Sequence, residues 1–286
     1  CAYYSAMCFL CTSPTAAPSR MALRRTFLLA AASAAATPVL AQVDVGKTSA
    51  MARLVPAGTL EKSAAQQYSQ MVAEAKAQGA LAPPNHAQLQ RLRAIAQRLV
   101  PHTPQWNERA PGWKWEVNLI GSKQINAFVM PGGKIVFYTG ILDQLQLTDD
   151  EIAMVMGHEM AHALREHARE RLAKSQVTGM GLSLGAQLLG LGDMGNLAAN
   201  LGTELLTLQY SRSDESEADL VGLEIAARAG YDPKAAITLW QKMAKATGDK
   251  GGMAFLSSHP SGPDRIKELE ANLPKVEPLY RQARKG

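Results

Sequence analysis

Apolar positions recur every third or fourth residue along several stretches of the chain, and along one stretch they alternate. From Ala87 to Val100, the residues Leu89, Leu92, Ile95, Ala96 and Leu99 fall on one face of a helix. Pro101 and Pro104 stop it. Leu60 to Gln78 also has helical composition and ends at Gly79, and Ala80 to Asn85, with Pro83 and Pro84, connects the two. Both helices are expected to wall the domain, with His86 and His102 as surface or capping residues at their ends. Residues 42–57 read as a loose leader. From Trp113 to Ile120 the period changes to two, which predicts a half-buried strand. Ile125–Met130 and Lys134–Tyr138 are two further strands, with Pro131-Gly132-Gly133 as the hairpin turn between them. A short helix runs from Thr139 through Leu145.

The next helix is expected to run unbroken from Thr148 to Lys174. Thr148 with Glu151 three residues on is a capping-box pattern, and Asp149, Asp150 and Glu151 suit the helix dipole. Arg165, Arg169, Arg171 and Lys174 gather at the other end, and no proline interrupts. This stretch contains His158-Glu159-Met160-Ala161-His162. On a helix the two histidines lie one turn apart on one face, the geometry in which two imidazoles hold zinc and the glutamate acts as general base. Such a pattern arises by accident on the order of once in a hundred chains of this length. A third ligand and a substrate surface are therefore required.

A histidine at the elongated metzincin spacing is absent, because that position is Ala168 and Arg165 replaces the glycine. His167, five residues after His162, points off the metal face of an unbroken helix. The third ligand must come from elsewhere, and the candidates are the acids of Ser213-Asp214-Glu215-Ser216-Glu217-Ala218-Asp219, which open a helix through Ala227. Glu215 and Asp219, four apart, share a face. One can bind metal while the other orients a ligand histidine. An acidic helix start favoured by the dipole alone is the competing explanation.

With 47% hydrophobic and 19% charged residues the composition is that of a globular protein. The net charge of +5 owes much to Arg20, Arg24 and Arg25, without which 27 basic residues face 25 acidic ones. No nucleic-acid partner is expected. Residues 1–20 read as upstream sequence. Met21 to Ala41 reads as a signal peptide, with Arg24 and Arg25, an apolar run from Phe27 to Ala36, and Val39-Leu40-Ala41 before the cleavage point. Its twin-arginine match is partial, and an ordinary secretory signal is preferred. All three cysteines precede this cleavage point, so a metal site must use His and carboxylate. Ser175 to Gly192 is uncharged and rich in glycine, and is expected to be a buried or membrane-adjacent helix, or a flap near the site. Its Gly181-x-Ser183-x-Gly185 lacks the strand and turn of a nucleophile elbow. Gly46-Lys47-Thr48 is no phosphate loop, because Ala41 stands where the loop needs glycine.

These motifs occur in an order that carries a resemblance. From about Val100 to Leu269 the chain resembles the zinc metallopeptidases that include the CAAX prenyl endopeptidase, HtpX and BepA, and most of all their small periplasmic members. The likeness rests on Asn126-Ala127-Phe128 with Pro131-Gly132-Gly133, on His158-Glu159-x-x-His162, on Glu215-x-x-x-Asp219 after Tyr210-Ser211-Arg212, and on Ser258-His259-Pro260 with Arg265. It implies an α+β, mainly helical, zincin-like (gluzincin) domain over residues 42–286, with a small sheet beside the H-E-x-x-H helix. It implies one zinc per chain on His158, His162 and Glu215, with Asp219 orienting a ligand. Asn126, Ala127, Phe128, Pro131 and Gly132 would border the substrate cleft, where an edge strand pairs with extended peptide. His259 and Arg265 would approach the metal, either to steady the oxyanion or to fill the open zinc position; Tyr210 is a further candidate for the oxyanion. His167 fits the family pattern, but not as a ligand. The expected protein is a periplasmic metalloendopeptidase acting on unfolded or misassembled envelope proteins, with peripheral membrane association as a further expectation. The alternative is a latent, autoinhibited or chaperone-like quality-control protein whose zinc site is occluded by His259. A purely structural zinc site is disfavoured, since such sites usually close with cysteines.

Overall fold

The structure, a computed structural model, describes residues 43–180, 209–247, 255, 258–259 and 264–285. The signal-peptide reading of residues 21–41 and the Gly181–Gly185 pattern lie outside the described residues.

Two amphipathic helices come first. Helix α1 (Ala57–Ala77) buries Leu60, Ala64, Tyr68 and Ala75. Helix α2 (Ala87–Leu99) buries Leu89, Leu92, Ile95, Ala96 and Leu99, the stripe that the periodicity predicts. The sheet that follows has strand order β1-β3-β2. Strand β1 (Glu116–Ile120) runs parallel to β3 (Lys134–Tyr138), and β2 (Ala127–Met130) runs antiparallel to it, Ala127 opposite Phe137 and Met130 opposite Lys134. The turn between β2 and β3 needs glycine: Gly133 has φ +81°, and a Cβ there would lie 2.8 Å from the Trp115 ring.

The half-buried strand expected over Trp113–Ile120 is shorter, and both of its faces are covered. Val117 to Ile120 are all buried. Val117 and Leu119 join the main core with α2, while Ile120 packs with Tyr68 of α1. The polar position between them, Asn118, is tolerated inside because its Nδ2 donates to the Tyr68 hydroxyl at 2.9 Å. Residues 43–55 are likewise no loose leader. Val43 and Val55 are buried, and a 3-10 helix spans Ala50–Leu54. The Val43 amide donates to the buried Glu224 carboxylate at 2.6 Å.

Helix α3 (Thr139–Leu145) leads into α4 (Asp149–Leu164), which is buried on all sides from Glu151 onward. The capping box at Thr148 and Glu151 forms as expected. The single helix expected as far as Lys174 does not. It ends at Leu164, Glu166 takes a left-handed φ of +62°, and α5 (His167–Met180) starts in a new direction. Local partners hold this corner. Asn107 Nδ2 donates to the Leu164 carbonyl at 2.9 Å, and the Glu166 carboxylate pairs with Arg109 at 2.7 Å and Arg169 at 2.5 Å.

Helices α6 (Arg212–Arg228), α7 (Ala235–Thr247) and α8 (Asp264–Ala283) complete the described elements. Helix α6 crosses α4 with its backbone almost in contact. A Cβ on Gly222 would lie 2.5 Å from the His158 nitrogen, and one on Gly157 would lie 2.8 Å from the Gly222 carbonyl oxygen. Among the described residues no helix is long and apolar enough to cross a membrane.

Glu151 joins α4 to α7. Its buried carboxylate accepts from the Thr148 amide at 2.8 Å, from Thr238 Oγ1 at 2.9 Å and from Lys242 Nζ at 2.6 Å. Burial raises its pKa, but Lys242 and the two hydrogen bonds outweigh burial and hold it below the usual range. Glu151→Ala is expected to cost about 1–3 kcal/mol at neutral pH. A lowered folded pKa means that this stabilisation is full above the unfolded value of about 4.3 and disappears as pH falls through the folded value. Urea melts of wild type and variant between pH 7 and pH 3.5 should therefore converge only below about pH 4.3. A gap unchanged over that whole range would refute the charged pairing.

Candidate metal centre

Helix α4 presents His158 and His162 one turn apart, and α6 faces them with Glu215 and Asp219. The N-terminus of α6 sorts the acidic run by role. Asp214 completes a capping box with Ser211, and Glu217 pairs with Arg165. Only Glu215 and Asp219 turn toward α4. His158 Nδ1 meets Asp219 Oδ1 at 2.9 Å, which leaves Nε2 directed at the other side chains of the cluster. There, His158 Nε2 and His162 Nε2 are 3.1 Å apart, and the Glu215 carboxylate lies 3.5 Å from the first and 3.4 Å from the second. Donors on one tetrahedral zinc, each at about 2.0–2.1 Å from it, stand about 3.3 Å from one another. The three side chains therefore fit that ion with little adjustment.

His259 enters from the segment before α8. Its amide donates to the Phe255 carbonyl at 2.9 Å, and its ring stacks on Phe255 with centroids 4.5 Å apart. Its Nδ1 lies 2.9 Å from Glu215 Oε1 and 3.4 Å from His158 Nε2, within the donor cluster itself. Arg265 on α8 engages the carboxylates. Its guanidinium donates to both Asp219 oxygens, at 2.7 and 2.8 Å, and to Glu215 Oε2 at 2.8 Å, and it lies over the Trp240 ring. Tyr210 stacks on His162 at 3.9 Å.

The electrostatics call for a cation. Two buried carboxylates, Glu215 and Asp219, face one guanidinium. Burial opposes their ionisation, yet the three histidines hold Glu215 well below the usual range, and Arg265 with His158 lowers Asp219. Burial would also lower His158, but Asp219 and Glu215 push it up to about 10, so without a metal it keeps a proton. Burial pushes His162 well below its ordinary value, into the neutral form that ligates. Glu159 is only 2% exposed, its Oε1 makes no hydrogen bond among the described residues, and burial raises its pKa. Two histidines and one glutamate are a donor set that holds catalytic zinc, and the buried Glu159 carboxyl, 3.5 Å from His259 Nε2, lies beside it.

Residues 86–273 match the sequence profile of peptidase family M48, well over half of the chain. The chain belongs to peptidase family M48. The M48 region is 39% identical over 166 residues to the mitochondrial metalloendopeptidase OMA1 of Schizosaccharomyces pombe, covering 57% of this chain and 48% of that one. It is 28% identical over 206 residues to the metalloprotease LoiP of Escherichia coli, covering 68% and 75%. The beta-barrel assembly-enhancing protease of Escherichia coli is 27% identical over 175 residues, covering 58% and 36%. The chain thus spans about half the length of its mitochondrial relative. Zinc is the metal of the M48 peptidases, and the buried cluster matches that chemistry.

Within this M48 domain the structure brings together every side chain that the sequence singled out around the metal. Arg265 is placed on the carboxylates of Glu215 and Asp219. The strand expected to border the cleft is β2, which packs against α4 and pairs only with β3 among the described residues. Ala127 is buried, Phe128 is half-buried against Tyr138, and the Asn126 side chain accepts from the Ala127 amide. Two contributors went unread. Phe255 anchors His259, and the pair Gly157 and Gly222 lets α4 and α6 meet. The first lies in a segment without a period, and the second needs a known crossing. His167, expected to point off the metal face of an unbroken helix, sits instead against His162, because of the break at Glu166, which neither proline nor glycine announces.

Proposed function

We propose that the protein is a zinc-dependent metalloendopeptidase that cleaves extended, locally unfolded segments of exported proteins. The observation that carries this reading is the buried Glu159 carboxyl beside His158, His162 and Glu215, its Oε1 free of hydrogen bonds among the described residues and 3.5 Å from His259 Nε2. These three residues would hold one zinc per chain, with Asp219 and Arg265 fixing the ligand side chains. Zinc, when bound, supplies a Lewis acid that polarises a carbonyl and brings a water to near-neutral pKa. Glu159 takes the proton of the attacking water and returns it to the leaving amine. A carboxyl raised by burial suits both halves of that transfer. Tyr210 and His259 are the nearest candidates to donate to the developing oxyanion. The side of β2 left unpaired among the described residues, from Asn126 toward Pro131 and Gly132, offers main-chain groups to a peptide that is already extended, which a folded substrate cannot supply.

An envelope location, with misfolded or misassembled proteins as substrates, is supported by the arginine-led apolar segment from Met21 to Ala41. A relative named for enhancing β-barrel assembly supports it too. Relatives with mitochondrial names place the family in more than one compartment, so export rests on the chain's own leader-like segment. Removing zinc with a chelator is expected to stop cleavage of casein, and one equivalent of zinc to restore it. Casein hydrolysis that survives full metal removal would sink the proposal.

One observation favours a second reading, a latent enzyme or a chaperone-like protein with a closed site. His259 Nδ1 lies as near the other donors as they lie to one another. His259→Ala separates the readings. Casein cleavage that rises in the variant supports autoinhibition, and a variant that binds zinc but stays silent supports a binding role.

A further inference from the structure

The two candidate histidine ligands are supported in different ways. His158 Nδ1 meets a carboxylate, Asp219, the usual outer partner of a metal-bound imidazole. His162 Nδ1 meets another imidazole nitrogen, His167 Nδ1, at 2.9 Å. Both rings are buried, with centroids 5.0 Å apart and planes at 74°. Two ring nitrogens at this distance need one proton between them. A His162 that turns Nε2 toward the metal keeps its proton on Nδ1 and donates, so His167 must accept at Nδ1 and carry its own proton on Nε2. That Nε2 is buried, makes no hydrogen bond among the described residues, and points toward Glu217 Oε2 at 3.6 Å. Glu217 is in turn fixed by Arg165.

The backbone is shaped to make this contact. On a continuous helix, residue 167 would stand away from residue 162. The left-handed Glu166 ends that course, and non-glycine residues take such a φ at a cost that the surroundings must offset. The ion pairs of Glu166 with Arg109 and Arg169 supply the offset. A strained corner held by two arginines thus delivers one imidazole to the outer nitrogen of another.

We infer that His167 is a positioning residue that fixes the tautomer and orientation of His162 as a zinc ligand, through a chain His162–His167–Glu217–Arg165. The inference rests on the zinc reading proposed above. It assigns His167 no contact with substrate.

The test uses the full chain, with His167→Leu, which removes the acceptor, and His167→Gln, which restores a neutral one. Zinc affinity is read by chelator competition, and ligand geometry by the visible spectrum of the Co²⁺-substituted protein. His167→Leu is expected to lose about 10–100-fold in zinc affinity and to shift the cobalt bands. His167→Gln should recover most of both. A His167→Leu protein that matches wild type in affinity and spectrum overturns the inference. Should that variant fail to fold, ¹⁵N spectra of the zinc-loaded wild type decide. A protonated His162 Nδ1 coupled across the hydrogen bond to His167 Nδ1 supports the inference, and an unprotonated His162 Nδ1 overturns it. A wild type that takes up no zinc sinks the metal reading and this pairing with it, whereas one zinc per wild-type chain makes any failure specific to His167.

Discussion

Glu159→Gln is expected to keep one zinc per chain and to cut casein about 10²–10⁴-fold more slowly than wild type. The substitution preserves shape and removes the ability to take up a proton. Metal retention follows from geometry: the donor cluster consists of His158, His162, Glu215 and His259, and Glu159 is not a member. Stability should change little as well. Burial already pushes this carboxyl toward its neutral form, and among the described residues its Oε1 makes no hydrogen bond, only a 3.5 Å approach to His259 Nε2. Zinc analysis, a thermal melt and a casein assay on the same preparation check all three statements. A variant that cleaves at the wild-type rate refutes Glu159 as the base. A variant that loses zinc shows instead that the carboxylate helps hold the ion.

The largest structural effect is expected from a single methyl group. Gly222→Ala places a Cβ 2.5 Å from the His158 nitrogen, 2.7 Å from the Gly157 carbonyl carbon and 2.9 Å from the His158 Cα. All three are backbone atoms of a helix buried on every side, so no side chain can swing away. Helix α4 and helix α6 must separate, and the separation falls where His158 faces Asp219. We expect a loss of about 3 kcal/mol or more, at the upper end of overpacking costs, together with a zinc affinity too weak to survive gel filtration. Gly58→Ala is the control. Apart from its own stretch of helix, no atom of the described residues lies within 4 Å of its Cβ position in the first turn of α1, so the same change should be neutral or stabilise by up to about 1 kcal/mol. Denaturant melts of the two variants should shift in opposite directions or by very different amounts. A Gly222→Ala protein as stable as wild type would mean that the two helices are not held at backbone contact.

Much of this site can be read before any coordinates exist, because its information is local. His158 and His162 are one turn apart, the Thr148 capping box marks where their helix starts, and Glu215 and Asp219 repeat the four-residue spacing on a second helix. The sheet is legible for the same reason: alternation and the Pro131-Gly132-Gly133 turn are short-range signals. What escapes is information carried by contacts between distant segments. The corner at Glu166 depends on Arg109 and Asn107, nearly sixty residues earlier. The burial of Asn118 depends on Tyr68. Helix α8 contains Pro274 and Pro278, each of which argues locally against a helix, yet Leu269, Val276 and Leu279 are buried along it. The placement of Arg265 on Glu215 and Asp219 likewise appears only once α6 and α8 are packed together.

The grip of Glu224 on the Val43 amide has a consequence for where this molecule can be trimmed. The recognisable family segment starts at His86 and stops at Leu273. Glu224 sits inside that segment, at 0% exposure, and two of its partners are the Val43 amide and Arg228. A fragment cut at the family boundary would deprive this interior carboxyl of its shortest hydrogen bond and would uncover Ile120, Met130 and Val136, the side of the sheet that Ala64 and Tyr68 cover. The smallest piece able to stand alone is therefore set by an amide 43 positions upstream of that boundary, not by the limits at which sequence likeness fades.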